Sequence, residues 1–154
     1  MLPFLVLVIS TVVLRALGAA GLSPLDSWTV CLRGGLALMF LLTASAHWGK
    51  RRRELMAMVP PVFPRPDLMV SLTGVLEIVG ALGLLVPMTA KAAAACLALL
   101  LVALFPANVR AAREKLTIGG RSATPLPLRA LLQLAFIGAL IVVGFADAFR
   151  FAVR

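Results

Sequence analysis

Ser71-Leu72-Thr73-Gly74-Val75-Leu76-Glu77-Ile78-Val79-Gly80-Ala81-Leu82-Gly83-Leu84-Leu85-Val86-Pro87-Met88 is a long apolar run broken by a single carboxylate. A run of this length and hydropathy meets the demand of roughly 20 apolar residues that a hydrocarbon layer of about 30 Å places on a spanning helix. A carboxylate inside such a segment is costly unless it has a partner or a function. The run therefore predicts a membrane helix with Glu77 as its one polar interruption.

Four other stretches repeat the pattern: Leu2 to Ala20, Val30 to Trp48, Ala92 to Pro106 and Leu126 to Phe149. The stretch before Pro106 is short, so its helix is expected to begin near Thr89 and to stop at the proline. The sequence thus predicts an all-α integral membrane bundle of five transmembrane helices, a single domain over 1-154. Composition agrees: 62% hydrophobic and 14% charged residues, with a mean hydropathy of +1.05, lie outside the range of soluble domains. Leu2 to Ala20 lacks a Lys/Arg-rich start and carries Arg15, so it reads as a retained helix rather than a signal peptide.

The net charge of +9 is confined almost wholly to loops and helix ends. Lys50, Arg51, Arg52, Arg53 and Arg65 fall in one connection, and Arg110, Arg113, Lys115 and Arg121 in another. With five spans these connections share a side. The opposite side receives Arg15, Arg33, Lys91, Arg150 and Arg154. Positive residues favour the cytoplasmic side, so the N-terminus is expected inside, in a bacterial-type cytoplasmic (inner) membrane. Anionic headgroups account for this pattern, and no basic patch with interleaved aromatics is present, so nucleic acid is not an expected partner. Trp28 and Trp48 stand at the two ends of the second helix, twenty residues apart, about 30 Å of helix. Cys31 and Cys96 form no CxxC and read as two ordinary buried thiols, a bridge between them being the alternative.

The connection after Trp48 is unusual. Leu55, Met56, Met58, Val59, Val62 and Phe63 are too apolar for a free loop, while Pro60, Pro61, Pro64 and Pro66 cannot continue a helix. A short amphipathic helix or turn at the interface is expected, followed by a stiff proline segment with Pro60, Pro61 and Pro64 as its interfacial turn.

Helical spacing collects the remaining polar groups. Thr73 and Glu77 share a stripe of the Glu77 helix, Arg129 and Gln133 a stripe of the last helix, and His47 ends a face of the second that also holds Ala37, Phe40 and Ala44. Asn108 lies just past Pro106. Counting rise along each helix puts Asn108 and Arg129 near the inner interface, His47 and Thr73 slightly deeper, Gln133 about 10 Å in and Glu77 about 15 Å in. The expected site is a polar funnel of His47, Thr73, Glu77, Asn108, Arg129 and Gln133, with the carboxylate as its floor. Two readings stay open: a brace of interhelical hydrogen bonds, or a ligand and proton-handling site. One histidine without nearby cysteine does not make a transition-metal centre, and nothing matches a phosphate loop, a dinucleotide fingerprint or a nucleophilic triad, so no catalytic, cofactor-binding or metal residues are assigned and any cofactor is unknown.

Several of these elements occur in a characteristic order: Arg33-Gly34-Gly35, Ala46-His47-Trp48, Met58-Val59-Pro60-Pro61-Val62-Phe63-Pro64, Thr73 to Pro87, Phe105-Pro106-Ala107-Asn108, and Leu128-Arg129-Ala130-Leu131-Leu132-Gln133. In this order they resemble the DoxX-like family of small helical membrane proteins, itself distantly similar to the acetylcholine-receptor assembly chaperone family. The resemblance implies a four-helix core to which Leu2 to Ala20 is an addition. It places His47, Pro60, Pro61, Glu77, Asn108, Arg129 and Gln133 at the family's characteristic positions. The resemblance implies roles that range from respiratory-complex subunit to assembly factor; the lack of a cofactor-ligand set, the small size and the short loops point to a non-catalytic accessory or assembly factor for membrane complexes. The partners expected are membrane lipids and other membrane proteins or a second copy of the chain. The alternative is a lipid- or quinone-binding enzyme or carrier in which Glu77 handles a proton.

Overall fold

Proline at the first helical position lacks only a donor that would be unpaired there anyway, and both Pro3 and Pro66 open helices in this way. In the computed structural model, which describes residues 1–152 without the side chains of 118, 121, 122 and 146–152, the chain forms α1 (Leu2–Ala19), α2 (Trp28–Ser45), α3 (Arg52–Met58), α4 (Pro66–Leu85), α5 (Ala90–Arg113) and α6 (Leu126–Ala152). A 3-10 turn, Ser23–Leu25, links α1 to α2. Two-residue strands β1 (Thr117–Ile118) and β2 (Arg121–Ser122) form a small hairpin between α5 and α6. All helices but α3 are long and apolar enough to cross a membrane, which makes five candidate spans.

The helices α2, α4, α5 and α6 close a ring, each packed on the next and α6 returning to α2, while α1 lies outside against α2. Phe40, Leu36, Met39, Leu84, Leu97, Leu140 and Val143 fill the middle of the ring. Leu5, Ile9, Val12, Val79, Leu99 and Val142 point outward. An apolar exterior of this kind, with small residues where helices touch, is the arrangement expected where lipid surrounds the bundle. The close approaches are made at glycines: Gly80 meets Leu97, Gly83 meets Ala93, and Gly35 lies directly against Thr11 and the Leu7 carbonyl of α1.

Two expectations are corrected. Pro106 does not end its helix; α5 runs through it to Arg113. A proline can sit inside a membrane helix when the carbonyl it leaves unpaired, here that of Val102, is accommodated by neighbours. The two cysteines are free, and only Cys31 is buried, its thiol donating to the Leu25 carbonyl at 3.1 Å, whereas Cys96 is exposed.

The two basic connections do share one end of the bundle. Gly119 N–H donates to Glu54 Oε2 at 2.8 Å, and Arg110 donates to the Val59 carbonyl, so α3, the hairpin and the end of α5 are tied together. Gly119 and Gly120 both have positive φ, +61° and +75°, the requirement of the two-residue hairpin loop between Ile118 and Arg121. The apolar connector forms the expected short helix, α3, with Met58 buried. Beyond it Phe63 N–H donates to the Pro60 carbonyl at 3.1 Å, while Pro61 and Pro64 are exposed. At the opposite end Arg15 folds over the Trp28 ring at 5.6 Å and lies 3.8 Å from Asp26. Trp28 and Trp48 are 64% and 49% exposed near the two ends of α2. Arg154, assigned by sequence to the side of Arg15, lies outside the described residues, as do the side chains of Arg121 and Arg150.

Because any side chain at position 35 would push α1 from α2, Gly35→Ala should lower the stability of the detergent-purified protein by about 1–3 kcal/mol, measured by thermal melting. Gly138, with no atom near its missing Cβ, is the control, and Gly138→Ala should leave the melt unchanged or raise it.

Candidate functional site

The end of α2 and the connector into α3 run antiparallel to α4 from Asp67 to Glu77, and four polar contacts mark the register. Thr43 faces Glu77, His47 faces Val70, and Arg52 reaches Asp67 and Ser71. Glu77 thus meets α2 in its last turn. The first two turns of α4 project beyond the end of α2. Arg52 secures this overhang by donating to the His47 carbonyl at 2.8 Å, the Asp67 carbonyl at 3.1 Å and Ser71 Oγ at 2.9 Å.

Glu77 is 5% exposed and His47 7%. Thr43 Oγ1 lies 2.7 Å from Glu77 Oε2 and 2.9 Å from the Phe40 carbonyl. His47 Nδ1 lies 2.6 Å from the Val70 carbonyl, which only accepts, so Nδ1 bears a proton and the tautomer is fixed. Nε2 then faces Glu77 Oε1 at 3.6 Å, within ion-pair reach but longer than a hydrogen bond. Two patterns satisfy the groups. In one, Nε2–H faces an ionised carboxylate that accepts from Thr43. In the other, the ring is neutral and Glu77 is protonated, either toward Nε2 or toward Thr43, which then donates to Phe40. Both hold one exchangeable proton, and the pair is neutral overall in each.

Gly74 makes the contact possible. A Cβ there would lie 2.8 Å from His47 Cβ and Cγ and 2.8 Å from the Trp48 ring. His47 sits in the turn just past α2. Its burial disfavours the charged ring, but the Glu77 side chain and the Val70 carbonyl favour it more strongly than burial and nearby Arg52 oppose it. The imidazole is consequently held above its usual range.

The predicted site residues divide into two clusters. His47, Thr73 and Glu77 come together on α2 and α4, although Thr73 donates to its own helix at the Met69 carbonyl, 2.9 Å away, and its oxygen is 3.4 Å from His47 Nδ1. Asn108, Arg129 and Gln133 form a second group between α5 and α6. Arg129 Nη1 donates to Asn108 Oδ1 at 2.8 Å, Arg129 Nε to the Thr124 carbonyl at 3.1 Å, and Asn108 Nδ2 to Gln133 Oε1 at 3.3 Å. Among the described side chains, no hydrogen bond joins the two clusters.

Between them lies a cavity of about 840 Å³, bounded by the end of α2, α3, α4 and the second half of α5. Thr43, His47, Thr73, Glu77 and Asn108 are on its wall, and Leu42, Leu55, Met58, Phe63, Leu100 and Leu104 give it an apolar surface. Lys50, Arg51 and the start of α1 stand at the outer rim. Arg129 and Gln133 are not on the wall and hold Asn108 from behind. Pro60 is on the wall; Pro61 and Pro64 are not. The sequence-based set omitted Thr43, the nearest partner of Glu77, although Thr43 lies four residues before His47 and so on the same helix face. Among the described residues no cluster of three or more His, Cys, Asp or Glu is arranged to hold a metal.

One family model matches the chain, over residues 36–146, and its description is Domain of unknown function (DUF8561). The chain belongs to that family, and the match runs from α2 through α6, leaving α1 outside. No curated protein and no solved structure is similar to the chain at a significant level.

The raised value of His47 fixes the sign of a pH effect. Its contribution to stability is fully present below the ordinary imidazole value of about 6.5 and is lost as pH rises through the higher value of the folded state. Thermal melts in neutral detergent should therefore fall as pH is raised above that range, and the fall should be absent in His47→Gln. A difference between the two proteins that stays constant with pH would remove His47 from the pair.

Proposed function

We propose that this multi-pass membrane protein holds an amphiphilic, lipid-like ligand in the cavity between α2, α3, α4 and α5, and that the Glu77–His47 pair gives or takes one proton there. The observation that carries the reading is the combination of a large apolar cavity with the buried His47–Glu77 pair on its wall. Its volume falls in the range of about 300–1,000 Å³ typical of small-molecule sites. A purely structural brace needs no open space beside it, since interhelical hydrogen bonds form best where helices touch. The proposal includes the DoxX-like resemblance, which is supported by the order of its sequence motifs, and a bacterial-type cytoplasmic membrane with the basic end inside.

A second reading is an accessory or assembly factor for membrane complexes. It is favoured by α1, a helix attached to the outside of the ring whose outward side chains Leu5, Ile9, Val12 and Val13 form a continuous apolar face available to another membrane protein.

Native mass spectrometry after gentle solubilisation tests the first reading. A specific amphiphile should accompany the wild type and be lost in Glu77→Gln, a variant that keeps the shape and a hydrogen bond to Thr43 and so should melt within a few degrees of wild type. Wild-type protein free of any such molecule, together with a stable larger complex that Glu77→Gln leaves intact, would favour the assembly role instead.

Orientation is checked with single cysteines in a background carrying Cys31→Ala and Cys96→Ala. Met88, 95% exposed in the α4–α5 turn, should be labelled as Met88→Cys by an impermeant maleimide on intact cells, and Arg53→Cys should not. The reverse pattern would invert the topology.

A further inference from the structure

We infer that the ligand is an anionic amphiphile taken from the surrounding bilayer, its phosphate or carboxylate headgroup held at the cavity rim by Lys50 and Arg51 and its apolar body lying between α3 and α5. This rests on the cavity being a ligand site and adds the sign of the ligand's charge and the end that carries it.

The rim supplies the first argument. Lys50 and Arg51 are both exposed and both on the cavity wall. No ion pair joins either of them to a carboxylate among the described residues. The Arg51 guanidinium packs on the hairpin loop, where a Cβ on Gly119 would be 3.2 Å from Nη2 and 3.4 Å from Cζ, so the glycine lets the loop hold the group in place at the rim.

The second argument is that the carboxylates at this end have other roles. Glu54 accepts from Gly119 N–H at 2.8 Å, and Glu114 accepts from Arg110 at 3.0 Å. Asp67 occupies the first turn of α4, where a helix N-terminus favours a negative charge. Glu77 is taken by Thr43 and His47. A cationic or zwitterionic headgroup would bring positive charge to a rim that already has two cations and no carboxylate on the cavity wall nearer than Glu77.

The third argument concerns shape. From Met69 at the rim to Glu77 the cavity follows eight residues of α4, about 12 Å of rise. Leu55, Met58, Phe63 and Leu104 face this length, so a headgroup at Lys50 and Arg51 leaves the ligand's hydrocarbon against hydrocarbon.

Trp48 provides the readout, because its ring lies against Gly74 and 6.1 Å from the His47 ring. The chain has two tryptophans, so the whole protein carrying Trp28→Phe, in neutral maltoside detergent at pH 8, reports from Trp48 alone. Three brominated quenchers are titrated: dibromostearate, its methyl ester, and a lysophosphatidate with the same chain. Both anionic probes should quench saturably and at least about tenfold more tightly than the ester. Lys50→Gln with Arg51→Gln should weaken the anionic probes by roughly 10- to 30-fold and leave the ester unchanged. The charge-retaining pair Lys50→Arg with Arg51→Lys should restore tight binding, which separates lost charge from a damaged fold.

Equal binding of ester and anion, or no effect of the double glutamine variant, would overturn the inference. So would displacement of both probes by inorganic phosphate at the probes' own concentration, which would indicate a site for an aqueous anion. Ala107→Phe, which fills the cavity from α5, distinguishes this failure from failure of the site itself. If all three probes bind alike and Ala107→Phe abolishes them, the cavity holds a ligand without regard to charge. If no probe quenches saturably, or Ala107→Phe changes nothing, the ligand-site reading fails and this inference fails with it.

Discussion

Glu77 can lie almost fully buried inside an apolar bundle only where its oxygens are provided with partners, because an unpaired ionised carboxylate in such surroundings would protonate or destabilise the fold by several kcal/mol. Much of the basic end follows from that requirement. Thr43 has to come from the last turn of α2, and His47 has to leave the helix just after it to present Nε2 to Oε1. The ring keeps that pose because Nδ1 is anchored on the Val70 carbonyl and because Arg52 grips the carbonyl of His47 itself. The same guanidinium binds α4 at Asp67 and Ser71, so the support of the buried carboxylate and the placement of α3 share one side chain.

The architecture was legible because lipid imposes a simple rule. Every backbone group must be paired within its own helix, so runs such as Leu2 to Ala20 and Ser71 to Met88 have one available conformation. What misled was local chemistry with a tertiary answer. Pro106 reads as a terminator, yet a proline interrupts only one backbone bond and α5 continues. Cys96 reads as buried, yet in a bundle surrounded by lipid an apolar residue is as well placed outside as inside. The Gly119-Gly120 pair is a hairpin signal set among charged neighbours that read as a plain loop.

The site was legible in its membership more than in its connectivity. Stripes on single helices brought out His47, Thr73 and Glu77, and separately Arg129 and Gln133. They could not show the register between helices, which decides that Glu77 faces Thr43 rather than Gln133, and that Asn108 is the only member of the second group to reach the cavity. Register is set by where small residues allow close approach, at Gly74, Gly80 and Gly83. Such positions are visible in the sequence, but their partners are not.

Gly74 also has a bearing on how this chain can vary by descent. Three positions are fitted into one volume there: the missing side chain at 74, the imidazole at 47 and the indole at 48. An alanine at 74 that appeared alone would collide with both rings. A smaller residue at 47 that appeared alone would leave a void beside the carboxylate, and one at 48 would uncover Gly74. A lineage that altered the pair would thus have to cross a less stable intermediate or change several positions together, so relatives should vary at 47, 48 and 74 jointly or hold all three fixed.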